Sequence, residues 1–560
     1  MAPVSHLVVI ACLLGISTQR STPADDSYVA AVLEYQPAFT TAANLARYEQ
    51  FIQDAALQDA DIIVFPELTL DRQDSVEVPF GGRLKEYPIP ALYPDLYHEI
   101  LVNISAAARE NAIYVVINVE EIVNCTGNAT GEVCPEEKIY LFNTNVVFDR
   151  NGTVIDRYRK INLFGERTRT PALGPDLGVF ETDFGVTFGH YICFDLQFQV
   201  PALQLVEKLN ITDVIFPTMW FSELPYLTAV QIQEAYAYAM DVNFLGSGAN
   251  NVRVGSAGSG IYSGKAGALV STMPGLLTTR MLISRVPKVP GQVTFQVPGP
   301  IYDPAEDHDS LVLISDPSFP SHVTRRLVPG FQEFTLVDRE VSCVFRINMT
   351  ENTPASGVET YRYRAAAFSG VRSYSGVATG GTRICSVVAC TGETMDTCAR
   401  RFPAYNANTT AIFEELSIVA SVPTPVVVQN VTSRDSAYFP VSLDVSIMPL
   451  ESEYYSYTED NRGEITVYSM DLINREAELY SFAVWGRYFL TDGLDADPPL
   501  LEVESETEAS EPDTSEPVTS EPVTSEPDTT EPDAGGSDSA NVREFSILIL
   551  LTGLACLIVN

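Results

Sequence analysis

Patterns typical of strands and of helices alternate along the first half of the chain, and this alternation restricts the possible folds more than any other feature. Short apolar runs rich in Val, Ile and Tyr alternate with longer segments that carry apolar residues at helical spacing. Such an order predicts a layered α/β domain. The predicted strands cover residues 27–35, 61–65, 113–119, 145–148, 154–158, 189–192 and 213–216, and the predicted helices cover residues 41–57, 96–111 and 227–241.

The pattern changes near residue 325, where short β-rich runs replace the alternation. We therefore expect two domains, over residues 25–322 and 325–495, because the folded part is too long for one ordinary domain. The second domain is predicted to be smaller and mostly β. Its predicted strands are residues 333–337, 342–347, 382–388, 426–431 and 438–447.

The N-terminal segment predicts entry into the secretory pathway. Its apolar run, residues 7–16, is too short to span a bilayer, so residues 1–22 are interpreted as a signal peptide; the alternative is a buried N-terminal strand. Eight Asn-x-Ser/Thr triplets agree with that route. These predicted glycosylation sites are Asn103, Asn124, Asn128, Asn151, Asn210, Asn348, Asn408 and Asn430.

The C-terminal segments predict attachment to a membrane. Residues 500–540 are acidic, and a Glu-Pro pair recurs every five residues, so we expect an extended, O-glycosylated stalk that does not fold. Residues 541–560 are interpreted as a glycolipid (GPI) anchor signal, because they end in an apolar tail. Small residues at 534–537 and a polar spacer precede that tail, as the anchor pattern requires. A simple tail anchor is the alternative, and the short tail without basic residues fits it poorly.

Charge and histidine content exclude two classes of partner. The formal net charge of −39 argues against nucleic-acid binding, which needs basic surface. The five histidines are scattered, with no pair at ligand spacing, so no metal site is predicted. We expect no cofactor, and the sequence does not indicate an oligomeric state.

The cysteine count points to one free thiol. Cys12 and Cys556 lie in the two end segments, and the other seven are an odd number for an oxidising compartment. A local disulfide is predicted between Cys125 and Cys134. Two more are predicted among Cys343, Cys385, Cys390 and Cys398, with their connectivity open; Cys193 is then unpaired.

Three predicted strands of the first domain are each followed by a reactive side chain. Glu67 follows one strand in FPE, Lys160 follows another in RKINLF, and Cys193 follows a third in YICFD. Strand ends of an α/β domain are where functional sites are usually assembled.

This ordered set of segments resembles the nitrilase (carbon-nitrogen hydrolase) superfamily, whose members use a Glu-Lys-Cys triad. FPTMW, LTAVQIQEAYAYAMDVNFL and GSGIY further along, and the cysteine spacing of the second domain, are similar to its vanin/biotinidase branch. The resemblance implies a nitrilase-type α-β-β-α sandwich followed by a smaller, mostly β domain. It also implies hydrolysis of a small-molecule amide.

Each proposed role has a structural alternative. Cys193 is expected as the nucleophile, Glu67 as the proton acceptor, and Lys160 as a proton donor or, with the backbone N–H of Phe194, as oxyanion stabiliser. Alternatively, Cys193 is a small buried apolar residue, Glu67 a helix N-terminal carboxylate, and Lys160 part of a solvated basic strip. Trp220 is either a pocket wall or a core residue. Glu166 is a candidate second carboxylate near Lys160.

The resemblance leaves the substrate open between two amides. Vanins cleave pantetheine to pantothenate and cysteamine, and biotinidase cleaves biocytin to biotin and lysine; the predicted stalk and anchor favour the vanin-like interpretation. A non-catalytic adhesion or recognition protein on the same scaffold is a hypothesis from another class.

Overall fold

The computed structural model describes residues 20–71, 74–79, 82–125, 136–174, 176–352, 358–403 and 411–500. Most of the predicted signal peptide, the stalk and the anchor signal lie outside the described residues, as do Cys134, Asn128 and Asn408. No helix within the described ranges is both long enough and apolar enough to cross a membrane.

The described residues of the first part form five α-helices and, among their strands, thirteen that join into one hydrogen-bonded network. The helices are α1 (Thr41–Ala56), α2 (Gly82–Glu86), α3 (Glu99–Asn111), α4 (Gln204–Leu209) and α5 (Ala229–Met240). The thirteen strands are β1 (Ser27–Tyr35), β2 (Ile62–Val64), β3 (Tyr114–Asn124), β4 (Ile139–Phe148), β5 (Val154–Arg159), β6 (Gly178–Glu181), β7 (Thr187–His190), β8 (Asp213–Thr218), β10 (Asn243–Ala249), β11 (Ser259–Ser263), β12 (Ala268–Thr272), β13 (Arg280–Pro287) and β14 (Gly299–Ile301), while β9 (Glu223–Leu224) pairs with β15 (Ile314–Ser315).

The network branches at β1 and β10, so it divides into two layers. One layer runs β13-β1-β2-β3-β4-β5 and the other runs β6-β7-β8-β10-β11-β12-β14. Apolar residues between them, such as Val32 and Ile215, form one core. Because side chains alternate along a strand, Leu33 of β1 instead packs towards α1 and α3, and Phe216 of β8 packs towards α5. This is the α-β-β-α sandwich that was predicted.

The second part of the chain is a pair of five-stranded antiparallel sheets, as the β-rich pattern predicted. Their orders are β16-β19-β20-β27-β24 and β17-β18-β21-β26-β25. The strands from this part are β16 (Val323–Arg326), β17 (Gly330–Asp338), β18 (Val341–Glu351), β19 (Arg362–Tyr374), β20 (Ala378–Cys390), β21 (Ala411–Pro423), β22 (Val427–Val428), β23 (Ser433–Arg434), β24 (Ser436–Asp444), β25 (Tyr455–Asn461), β26 (Ile465–Leu472) and β27 (Leu479–Tyr488).

Two predictions about these strands need correction. The strand expected over residues 426–431 is only Val427–Val428, because the chain turns back at once to pair with Ser433–Arg434. The long strand Arg362–Tyr374 was missed, since three alanines, two serines and a glycine interrupt the branched and aromatic residues that indicate strands.

Two disulfides tie the second part together, which resolves the open connectivity. Cys343 of β18 bonds Cys385 of β20, and so links the two sheets; Cys390 bonds Cys398 within a short loop. Cys125 is also disulfide-bonded, and its predicted partner lies outside the described residues. Among the cysteines that the structure describes, Cys193 alone is free, in agreement with the odd count.

Candidate active site

The three predicted catalytic residues leave strands that all run in the same direction. β2 is parallel to β1, β1 to β10, β10 to β8 and β8 to β7. β3 is parallel to β2, and two antiparallel pairings then return β5 to the same direction. The carboxyl ends of these strands therefore meet at one edge of the sandwich. Glu67, Lys160 and Cys193 lie at that edge because of the sheet order.

A buried lysine joins two carboxylates at the centre of the site. Lys160 Nζ donates to Glu67 Oε1 at 2.7 Å and to Glu166 Oε1 at 2.5 Å. The side chains of Lys160 and Glu67 are 1% and 2% exposed. Burial by itself would lower the pKa of Lys160, but the charges of Glu166 and Glu67 outweigh burial and raise that pKa well above its ordinary value. Lys160 is therefore held as a cation in a site almost without solvent.

Glu67 is fixed by donors on both of its oxygens. Besides Lys160, Oε1 accepts from Asn143 Nδ2 at 2.7 Å, and Oε2 accepts from the backbone N–H of Met219 at 2.8 Å. Leu68, the next residue, adopts a φ of +53°, in the left-handed region that non-glycine residues rarely occupy. Backbone strain of this kind persists only where surrounding contacts hold it.

Cys193 is a buried thiol at a second strained position. Its φ is +49° and it is 5% exposed, at the start of a short 3₁₀ helix that follows the extended residue Ile192. Burial raises the pKa of the Cys193 thiol and the charge of Glu67 raises it further, while Lys160 acts in the opposite direction. The resting form is therefore the neutral thiol, which needs a base before it can attack a carbonyl carbon.

Asp195 holds the turn that presents Cys193. One carboxylate oxygen accepts from the backbone and side-chain amides of Asn162, and the other accepts from the Tyr158 hydroxyl at 2.7 Å and the Ile192 N–H. Burial raises the pKa of Asp195 to about 6, and these donors oppose that rise. Asp195 stands in the YICFD motif but was not among the predicted site residues; its position two residues after the cysteine was the available signal.

Cys193 opens onto a narrow pocket, half of whose lining residues are aromatic, with about 390 Å³ of empty space, part of it open to solvent. Phe194 and Trp220 both line it, so Trp220, whose indole N–H donates to the Leu227 carbonyl at 2.9 Å, combines both of its expected roles. The remaining lining residues are Phe164, Gln197, Phe221, Glu223, Leu227, Tyr374 and Ser375.

Two of those lining residues come from the second part of the chain. Tyr374 ends β19 and Ser375 follows it, so the β19–β20 turn forms one wall of the pocket. Arg372 of β19, 1% exposed, pairs with Asp316 and with Glu223, a lining residue from the first part of the chain. Sequence patterns did not indicate this wall, because they do not report which turn packs over a site more than 150 residues away.

Six of the eight predicted glycosylation asparagines lie in the described part of the chain, and all six are accessible to solvent. Asn124, Asn151, Asn210 and Asn430 are exposed, and Asn103 and Asn348 are partly exposed. Glycosylation itself stays a prediction. Within the described residues, no three His, Cys, Asp or Glu side chains form a group that could hold a metal ion.

Both parts of the chain match families of known proteins. Residues 29–265 match the carbon-nitrogen hydrolase family model, and residues 317–492 match the vanin C-terminal domain. Vanin-like protein 1 of Drosophila melanogaster is 33% identical over 519 residues, which cover 86% of this chain and 89% of the relative. A pantetheinase of Canis lupus familiaris is 34% identical over 280 residues (46% and 53% of the two chains), and a biotinidase of Bos taurus is 36% identical over 235 residues (39% and 43%). The chain therefore belongs to the vanin-like branch of the carbon-nitrogen hydrolases, and it is an amide hydrolase.

Proposed function

We propose that this protein hydrolyses pantetheine to pantothenate and cysteamine through a thioester on Cys193. The observation that carries the proposal is the buried Glu67–Lys160–Glu166 cluster beside a free cysteine that opens into a pocket. The thiol supplies the nucleophile, the carboxylate supplies the base that activates it, and the fixed cation supplies a donor for the oxyanion.

The first half-reaction forms the thioester. Glu67 takes the proton from Cys193 as the sulfur attacks the amide carbonyl carbon, and a tetrahedral intermediate results. Lys160, with the backbone N–H of Phe194, stabilises its oxyanion; one such donor typically contributes about 3 kcal/mol. The C–N bond then breaks, and the amine leaves with the proton that Glu67 returns.

The second half-reaction releases the acid. Glu67 takes a proton from water as the water oxygen attacks the thioester carbonyl carbon, and the same donors stabilise the second oxyanion. The C–S bond breaks, and Cys193 recovers its proton. Because one base serves both steps, a change at Glu67 affects the formation and the hydrolysis of the thioester alike.

The pocket supports an acyl group that carries both apolar and polar atoms. Half of its lining residues are aromatic, but Gln197 is 1% exposed and its Nε2 has no hydrogen-bond partner among the described residues. A buried donor without a partner costs about 1–3 kcal/mol, which a carbonyl or hydroxyl oxygen of the substrate would remove. The pantothenoyl group carries such oxygens along a short chain.

We also propose that the enzyme acts outside the cell, held to the membrane by a glycolipid behind an extended stalk. The signal peptide, the triplets and the C-terminal pattern support this location. A phosphatidylinositol-specific phospholipase should release the protein from intact cells. Recovery of residues 545–559 in the mature surface protein would contradict the anchor proposal.

The test of the reaction is a side-by-side assay of purified protein with pantetheine and biocytin. We expect faster cleavage of pantetheine, and rapid quenching with mass spectrometry should show a pantothenoyl group on the Cys193 peptide. Glu67→Gln should slow both the appearance and the loss of that adduct. A preference for biocytin would overturn the substrate and retain the mechanism; no turnover of either would favour the adhesion hypothesis.

A further inference from the structure

Three buried asparagines connect to Glu67 through a continuous chain of hydrogen bonds. Asn118 of β3 and Asn143 and Asn145 of β4 are each at most 1% exposed. Residues 143 and 145 lie two apart on one strand and so share a face, and Asn118 is the direct cross-strand neighbour of Asn145. Buried amides are costly unless they are fully paired, so their grouping behind the site calls for an explanation.

The carboxylates determine the direction of the chain at its inner end. A carboxylate only accepts, so Asn143 must present its NH₂ group to Glu67 Oε1 at 2.7 Å and to Glu166 Oε2 at 3.0 Å. Its carbonyl oxygen then accepts from Asn118 Nδ2 at 2.7 Å. Both hydrogens of the Asn143 amide are thus directed at the two carboxylates that bracket Lys160.

Two further contacts require the same orientation of Asn118. Its Oδ1 accepts from the backbone N–H of Leu68 at 2.9 Å, and its Nδ2 donates a second bond to Asn145 Oδ1 at 3.1 Å. Asn118 therefore holds the strained residue next to Glu67 through one atom and holds Asn143 through another. The backbone and the side chain of the catalytic segment are fixed by the same amide.

The outer end of the chain is also anchored by a carboxylate. His190 Nε2 lies 2.9 Å from Asp156 Oδ2, so in a neutral ring Nδ1 is left to accept from Asn145 Nδ2 at 3.4 Å. Asn145 must then offer its oxygen to Asn118, as the inner end requires. Each of the three side-chain amides then has an acceptor for its NH₂ group and a donor for its oxygen, with no conflict.

From this arrangement we propose that Asn143, supported by Asn118, is a positioning residue that holds Glu67 and Glu166 in their places around Lys160. The proposal rests on the proposed function, since it assigns a partner to the base of that reaction. Asn143 does not line the pocket, so it acts through Glu67 and has no contact with substrate.

Asn143→Ala and Asn143→Asp test the donor role against simple space filling. Asn143→Ala should lower kcat about 10- to 100-fold with KM changed less than about threefold, because a hydrogen bond to a charged group is lost away from the pocket. Asn143→Asp keeps the shape but presents oxygens to two carboxylates, so it should be at least as impaired as Asn143→Ala. If Asn143 only fills space, Asn143→Asp would be the more active of the two.

The pH profile supplies a readout that a structural role would not move. Burial alone would raise the pKa of Glu166, but the charge of Lys160 and hydrogen bonds that include the one from Asn143 hold that pKa below its ordinary value. In Asn143→Ala the acid limb of kcat/KM should therefore shift to higher pH. Asn243→Ala is the matched control. Asn243 is another fully buried asparagine of the same network of strands, bonded to the Asp213 carboxylate at 2.9 Å at the other end of β8 and β10, and its loss should leave the profile unchanged.

Alkylation of Cys193 by iodoacetamide, measured by mass spectrometry against pH, separates this proposal from the proposed function. Asn143→Ala should slow alkylation about tenfold or more, while Asn243→Ala should stay within twofold of wild type.

Alkylation in wild type without hydrolysis of either amide would overturn the proposed function alone. Wild-type kinetics and pH profile in Asn143→Ala would overturn the positioning role alone. If neither variant at position 143 folds, Asn118→Ala should show the same acid-limb shift at smaller size, and an unmoved profile there would overturn the proposal.

Discussion

Cys193 is buried, unpaired and held at a φ of +49°, and these three properties make its substitution informative. Cys193→Ala should reduce kcat/KM for pantetheine by about 10⁴-fold or more, since no other group can form the thioester. The fold should remain, because the side chain is small and makes no disulfide. Thermal unfolding of the variant checks the fold, and near-normal turnover would refute the nucleophile assignment.

Glu234, on the buried face of α5, is expected to make the free energy of unfolding depend on pH. Burial raises its pKa to about 8 and the charge of Glu451 adds to the rise. Between about pH 4.5 and 8 the unfolded chain ionises this group while the folded chain keeps it protonated, so the free energy of unfolding falls as pH rises through that window. Below about pH 4.5 the group is protonated in both states and does not change the free energy of unfolding.

Glu234→Gln removes this titration while it keeps an oxygen for the Ala268 N–H. The variant should therefore gain stability over wild type as the pH rises from 5 to 8, by on the order of a few kcal/mol. Urea unfolding at both pH values measures the gain. An equal stability difference at the two pH values would show that Glu234 is already ionised in the fold.

At the scale of elements, the two disulfides of the second part differ in the loops that they close. Cys343–Cys385 spans 42 residues and joins β18 to β20, whereas Cys390–Cys398 spans 8. Loop-closure entropy predicts losses of about 4 and about 2.5 kcal/mol when each pair is replaced by alanine. Denaturant unfolding of the two double variants should reproduce that order, and the reverse order would show that packing around the bridges dominates.

At the scale of the whole molecule, the two predicted domains share a buried hydrophobic cluster. Tyr236 of α5 stacks on Phe439 of β24 at 6.1 Å between ring centroids, and Arg487 of β27 donates to the Gln197 carbonyl at 2.8 Å. A buried cluster contains residues from both parts. We therefore expect a single calorimetric unfolding transition for residues 20–500, and two resolved transitions would show that the parts unfold independently.

The sequence by itself determined the elements that carry the reactive residues. The periods of two and 3.6 residues predicted β1 at its observed bounds and β5 to within one residue, and the odd cysteine count predicted one free thiol, which is Cys193. These features are local in the chain or depend on counting alone. The Glu-Lys-Cys order and the four-layer fold came from the resemblance to a family, which adds knowledge that periodicity does not contain.

Tertiary structure alone decided what surrounds those residues. Asn143 reaches Glu67 from 76 residues away, and Ser375 reaches Glu223 from 152 residues away. Such contacts depend on strand order, on register and on which turn packs over the strand ends. A change of register by one residue would turn Asn143 to the other face of its sheet. Local patterns report which residues form a strand, but the free energy that selects one pairing of strands comes from the whole packed core.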